Sequence, residues 1–160
     1  MSAPESPFVD LSFSPSLALV SLVRQFASDF YSEQLGEGDA VERIALATHE
    51  VLENAVKYSV DGLTRIRIEW HPPPEGRVLL RTWNRPRPEH FEVVVRNIAK
   101  LQEASDPLAY YLELMKKTST QPVGSGLGLG RVRAEAEMTV KCSVEGDWLC
   151  VSAEAPFVRR

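Results

Sequence analysis

Between Asp39 and Trp70 the hydrophobic period of the chain changes once, and abruptly. Val41, Ile44, Ala45, Thr48, Val51, Leu52, Ala55 and Val56 recur at helical spacing, giving one apolar face to a segment running from about Asp39 to Ser59. Val60-Asp61-Gly62 makes a turn, and Thr64 to Trp70 (TRIRIEW) then alternates residue by residue. That alternation describes a strand with one dry and one wet side. A long amphipathic helix followed directly by a half-buried strand has few stable arrangements. The simplest lays the apolar stripe of the helix on the dry side of a sheet.

The flanking segments supply the rest of both layers. Phe8 to Phe13 reads as a short strand, and Ser14-Pro15 as a helix start with a hydroxyl cap and proline in the first turn. Leu19, Leu22, Val23, Phe26 and Phe30 carry that helix to about Tyr31–Gln34, and Gly36-Glu37-Gly38 breaks it. The prolines of His71 to Gly76 cannot continue a strand, so Arg77 to Asn84 is a new one, ended by Pro86 and Pro88. Two helices are predicted from Glu89 to about Ala104 and from Asp106 to about Lys117, and a third from Leu127 to Met138. Thr118 to Val123 is polar and reads as a mobile connection. Thr139 to Val144 and Trp148 to Ala153 form a closing hairpin. The expected fold class is an α/β sandwich (α+β): a mixed, mainly antiparallel sheet with helices on one face. Residues 1–7 are expected to be a loose tail and 8–160 one domain.

Composition excludes several classes. Net charge is −4 with no long run of one sign, which argues against a nucleic-acid partner, since phosphate contacts need clustered Lys and Arg. No apolar stretch approaches the roughly 18–20 residues of a membrane span, so no membrane partner is expected. MSAPESPFVD lacks the basic and apolar regions of a secretory signal, and a cytoplasmic protein is expected. Cys142 and Cys150 flank the turn Glu145-Gly146-Asp147. Depending on hairpin register they face each other or lie on opposite faces; they read as reduced strand residues, with a disulfide as the minor reading.

Two segments carry chemistry. In HEVLENAVKYS, His49 to Ser59, the residues Glu50, Asn54 and Lys57 fall at i, i+4 and i+7 and form one polar stripe on a helix. A carboxylate, a carboxamide and an ammonium in line suit proton removal, a Mg²⁺ contact and a phosphate contact. In GSGLGLG, Gly124 to Gly130, backbone N–H groups can approach phosphates closely, and a helix follows. No Lys-Ser/Thr follows the glycines, so this is not a Walker A loop. Glu53 stands where a zincin would need its second His. His71 and His90 lie near prolines and read as solvated loop residues. Arg81, Arg85 and Arg87 read equally as a solvated strand end or as contacts to phosphate or to an acidic patch on a partner.

With those residues in view, the chain resembles the GHKL ATPase superfamily, which includes histidine-kinase catalytic domains, gyrase B, the Hsp90 chaperones and MutL. HEVLENAVKYS is similar to its N box and GSGLGLG to its second glycine box. The N-terminal half, with Arg24 midway in its first helix and E-x-x-x-N-A in its second, resembles the bacterial anti-sigma-factor serine kinases and the SiaB-type protein kinases. The resemblance implies a Bergerat-type ATP-binding fold with ATP and Mg²⁺ as cofactors. It implies Glu50 as the catalytic carboxylate, Asn54 as the Mg²⁺ ligand and Lys57 as a phosphate contact. It implies Gly124, Ser125, Gly126, Leu127 and Gly128 as the phosphate-closing lid and helix start. The first glycine box departs from the family. Its adenine-binding Asp is replaced by Asn84, and Arg85-Pro86-Arg87-Pro88 follows in place of glycines. The amide oxygen of Asn84 can still accept from the adenine N6. The resemblance further implies a serine/threonine kinase acting on a small STAS-like or SiaC-like regulatory partner, with a nucleotide-weak scaffold that sequesters such a partner as the alternative. Members of this branch commonly dimerise, so a homodimer through the first strand and helix is also an expectation.

Overall fold

The computed structural model describes residues 6–14, 17–118 and 126–157. Strand β1 (Phe8–Phe13) is followed by helices α1 (Leu17–Leu35) and α2 (Asp39–Tyr58), then by strands β2 (Ser59–His71) and β3 (Arg77–Pro86). Helices α3 (Pro88–Glu103), α4 (Pro107–Thr118) and α5 (Leu127–Ala134) come next, and β4 (Thr139–Glu145) and β5 (Trp148–Pro156) close the chain. The strands form one five-stranded sheet in the order β1-β2-β3-β5-β4. Every pairing in it is antiparallel. This is the expected α+β architecture.

The alternation of Thr64 to Trp70 sorts as its period requires. Ile66, Ile68 and Trp70 are buried under the helices, and across the sheet Val78, Leu80, Leu149, Val151 and Ala153 join them. Helix α2 packs over the middle of the sheet with Val41, Ile44, Val51, Leu52 and Val56 in the same core. Leu52 and Leu80 are fully buried, so truncating either to Ala costs about 2–5 kcal/mol. Helix α1 rests on α2, and its buried Tyr31 hydroxyl donates to the Glu69 carbonyl of β2 at 3.1 Å. Helices α3, α4 and α5 extend the same layer, with α5 wedged between α2, α3 and α4.

Among the described residues no helix lies on the other side of the sheet. Arg65, Arg67, Arg77, Arg81, Arg85 and Lys141 project there beside Asp10, Glu69, Glu145 and Glu154. Glu69 is buried among hydrogen bonds from Arg67, Arg81 and His71. Arg65 and Arg81 stack on Trp83, and Arg85 on Trp148.

Two local expectations change, and one left open by the hairpin register is decided. Helix α5 ends at Ala134 rather than Met138, because Glu137 adopts φ 56° and turns the chain so that Ala136 and Met138 enter the core. His71 is a strand residue held by Glu69 at 2.7 Å, and His90 sits in α3 with its ring 4.8 Å from that of Tyr58; neither is a solvated loop residue. The hairpin pairs Cys142 with Val151 and Cys150 with Ser143, which puts the two thiols on opposite faces, and both are free. Burial pushes the Cys150 thiol up to about 11, as befits a packed strand residue. Pro15 and most of the Thr118–Val123 connection lie outside the described residues.

Candidate functional site

Helix α2 runs for 20 residues, and its C-terminal half carries Glu50, Asn54 and Lys57 along the edge of its apolar stripe. The apolar neighbours Val51, Leu52, Ala55 and Val56 are buried, which fixes the rotation of the helix and leaves the three polar groups beside α5. There they line a cavity of about 230 Å³ together with Glu53, Tyr58, Gly126, Leu127 and Gly128. The stripe and the glycine helix start, distant in sequence, therefore face each other across one cleft. Gly124 and Ser125 lie outside the described residues.

Each described glycine of the run has its own physical reason. Gly126 caps α5 in the left-handed region at φ 73°, and a Cβ there would come 2.9 Å from Cγ of Asn97. At Gly128 a Cβ would lie 2.5 Å from Oε2 of Glu50. At Gly130 it would press on Leu114 of α4 at 3.0 Å. The glycines thus let α5 approach α2, α3 and α4 closely. Gly126 supplies no side-chain cap to α5. Gly126, Leu127 and Gly128 line the cavity, so the N-terminal, positive end of the α5 dipole lies beside it.

Glu50 does not stand alone. Its Oε1 accepts from Nη1 of Arg131 at 3.3 Å, and Nε of Arg131 donates to Glu135 at 2.9 Å. The hydrogen bond to Glu135, outweighing the opposing effect of burial, holds the Arg131 guanidinium above its ordinary pKa. Arg131 was not singled out from the sequence; its i, i+4 spacing to Glu135 was legible, but its approach to Glu50 depends on the packing of α5 on α2. Glu53 was likewise passed over. It shares the cavity and is held at 2.9 Å by Nε2 of His49. Asn54 has no side-chain hydrogen bond, and Lys57 no ion pair, to other described residues; the Lys57 ammonium sits 5.8 Å from the Tyr58 ring.

The oxygens of Glu50, Glu53 and Asn54 are a hard-donor set of the kind Mg²⁺ takes, one or two carboxylates with water completing the shell. Among the described residues no group of three or more His, Cys, Asp or Glu is arranged as a metal cage. The donor set fits a hard divalent cation that keeps most of its water.

The cleft narrows toward α3. Asn54, Tyr58 and Gly126 continue into a space of only about 10 Å³ walled by His90, Val93, Val94, Asn97 and Leu129. Nδ1 of His90 is buried there without a hydrogen-bond partner. Asn84 is 3% exposed on the helix-facing side of β3, paired with Thr64 and Leu149, and does not line the cavity around Glu50. The open part of the cleft is smaller than the roughly 300–1,000 Å³ of pockets that enclose a whole small-molecule ligand. It has room for a phosphate-sized group, and toward α3 it is nearly closed. Arg81 and Arg85 lie on the other side of the sheet, paired with Glu69 and Asp61, and take no part in the cleft.

Among the described residues no helix is long and apolar enough to cross a membrane. No protein-family model matches the chain, and no curated protein matches it by sequence. A likeness to solved structures is clear. With a TM-score of 0.67 and 12% identity, over 92% of this chain and 88% of the other, the fold is similar to that of a chain in the crystal structure of the SiaB-SiaC complex from Pseudomonas aeruginosa.

Proposed function

We propose that this chain is a GHKL-type protein serine/threonine kinase of a bacterial partner-switching system, transferring phosphate from Mg-ATP to a small regulatory protein. The observation that carries this reading is the cleft in which Glu50, Asn54 and Lys57 on α2 oppose Gly126, Leu127 and Gly128 on α5. Phosphoryl transfer depends chiefly on positioning and charge neutralisation, and this cleft offers groups for both. The likeness to a chain of the SiaB-SiaC complex supports a protein as the partner.

In this reading Asn54 Oδ1 holds the metal that accompanies ATP, which supplies the charge neutralisation. Lys57 and the amides at the start of α5 bind phosphate oxygens. Glu50 accepts the proton of the partner's hydroxyl, since a carboxylate within hydrogen-bond reach of the attacking group is what the step requires. Gly124 and Ser125 belong to the same lid by resemblance, and Asn84 remains the family's position for adenine recognition.

A second reading has its own support. The near-closure of the cleft toward α3, and an Asn84 that does not line the cavity, suit a scaffold that has lost much of its nucleotide affinity and sequesters its partner instead. Calorimetric titration with Mg-ATP separates the two. The kinase reading expects saturable binding, and the Glu50→Gln protein should bind Mg-ATP as the wild type does yet turn it over about 10²–10⁴-fold more slowly. No heat of binding at millimolar Mg-ATP would leave the scaffold reading standing. Wild-type turnover in Glu50→Gln would remove Glu50 from its role.

A further inference from the structure

We propose that Arg131 is the positioning residue of this site, holding the Glu50 carboxylate so that Oε1 is engaged and Oε2 is turned to the Gly128 end of the cleft. The role in turnover rests on the kinase reading; the positioning itself does not.

The two carboxylate oxygens of Glu50 have different surroundings. Oε1 takes a hydrogen bond from Nη1 of Arg131. Oε2 lies against the first turn of α5, where a Cβ on Gly128 would be 2.5 Å away. A glutamate has several rotatable bonds, and a carboxylate free to turn would offer either oxygen in many directions. The guanidinium removes that freedom from one side and the α5 backbone from the other.

Arg131 is itself held. Its Nε is committed to Glu135, the residue that follows the last turn of α5. The row Glu135, Arg131, Glu50 therefore crosses from α5 to α2. Stability is a poor explanation for it. Arg131 and Glu135 are 43% and 41% exposed, and ion pairs that exposed contribute little to folding. Glu50, at 16% exposure, is the sheltered member, and it faces the cavity. The planar fork of an arginine can serve two carboxylates at once in fixed directions, which a lysine cannot. Because α5 begins at the glycine run, a ligand that fixes the first turn of α5 also fixes Arg131 and, through it, Glu50.

The test uses Arg131→Ala and Arg131→Lys in the whole chain, with side-chain ¹³C-labelled glutamate. Three-bond couplings should report one Glu50 rotamer in the wild type and an averaged set in Arg131→Ala, with an unchanged melting temperature. Mg-ATP affinity should stay within about threefold, while release of phosphate from γ-labelled Mg-ATP falls roughly 10- to 100-fold. Arg131→Lys should recover part of that loss. If Arg131→Ala leaves the couplings of Glu50 unchanged, the proposal is wrong. It is also wrong if affinity falls in step with turnover, since Arg131 would then be binding the ligand directly. It fails equally if Arg131→Ala turns Mg-ATP over at the wild-type rate. A wild type that turns over no Mg-ATP, with Glu50 nonetheless averaged in Arg131→Ala, would sink the kinase reading and leave the positioning intact.

Discussion

Two regions of this molecule are rich in charge, the open face of the sheet and the seam between α2 and α5, and they differ in how the charge is satisfied. On the open face the cations of the strands meet acids. Arg65 and Arg67 hold Asp10, Arg67 and Arg81 hold Glu69, Arg77 and Lys141 hold Glu154, and Arg85 holds Asp61. In the seam Glu50 and Glu53 are tethered on one side only, and Asn54 and Lys57 face a cavity. A sheet whose second side carries no helix among the described residues must cover its indole rings and backbone somehow, and stacked guanidiniums paired to carboxylates do that. Polar groups aimed into a cavity without partners have no such structural account. The difference teaches that satisfaction, more than charge, separates a site from a surface.

The largest expected effect that would break this comparison is on the open face. Glu69→Ala leaves Arg67, Arg81 and His71 without their shared acceptor, and its side chain is only 7% exposed. A loss of about 2–3 kcal/mol in urea denaturation is expected, in line with charged hydrogen bonds. Mg-ATP turnover by the folded protein should not change. If turnover fell with Glu69→Ala, the two regions would be coupled and the contrast would be lost.

Next in size is Gly126→Ala. The left-handed φ of 73° costs a non-glycine residue about 1–2 kcal/mol, and the new Cβ would also press on Asn97. Both stability and Mg-ATP affinity should fall, because the α5 start is displaced from the cleft. Stability falling alone would make this glycine a packing device and nothing more.

A subtler effect is the response to acid. Burial pushes the Glu69 carboxyl up, but hydrogen bonds from Arg81, Arg67 and His71 outweigh it and hold the group below its ordinary value of 4.5. Asp10 is held down by its hydrogen bond to Arg65, and Glu154 by its bond to Lys141. A carboxylate with a depressed folded pKa contributes stability above its unfolded pKa and loses it as pH falls through the folded one. Thermal melts of wild type and Glu69→Gln should therefore differ most at neutral pH and converge as pH drops below about 4.5. A gap that held constant with pH would mean that the charge of Glu69 is not what the open face uses.

What the sequence revealed and what it hid follow the same physical division. The alternation of Thr64 to Trp70 and the face of α2 are local periodicities, and both layers could be read from them. The end of α5 could not, because Glu137 adopts a left-handed conformation that composition usually assigns to glycine or asparagine. Glu50, Asn54 and Lys57 were legible because helical spacing alone puts them on one stripe. Arg131, His90 and Asn97 were not, since each reaches the cleft only through helix packing, whereas Tyr58, four residues after Asn54 in α2, lay within reach of the same spacing. Asn84 shows the converse. It was named through the family resemblance and not by any local periodicity, and only the structure shows it packed between neighbouring strands.

The smallest effect is the most discriminating. Asn54 sits in the interior of α2, where Asn is a poorer helix former than Ala by roughly half a kcal/mol. Its amide makes no hydrogen bond to a described residue that would repay that cost. Asn54→Ala should therefore leave the protein as stable as the wild type, or more stable by about 0.5 kcal/mol, in chemical denaturation. The same protein should lose the Mg²⁺ dependence of ATP binding if Asn54 holds the metal. A residue that costs stability where it stands, and whose removal abolishes a ligand response, is kept for the ligand. Were Asn54→Ala destabilising by more than about 1 kcal/mol, the amide would have a structural partner after all, and the seam would resemble the open face.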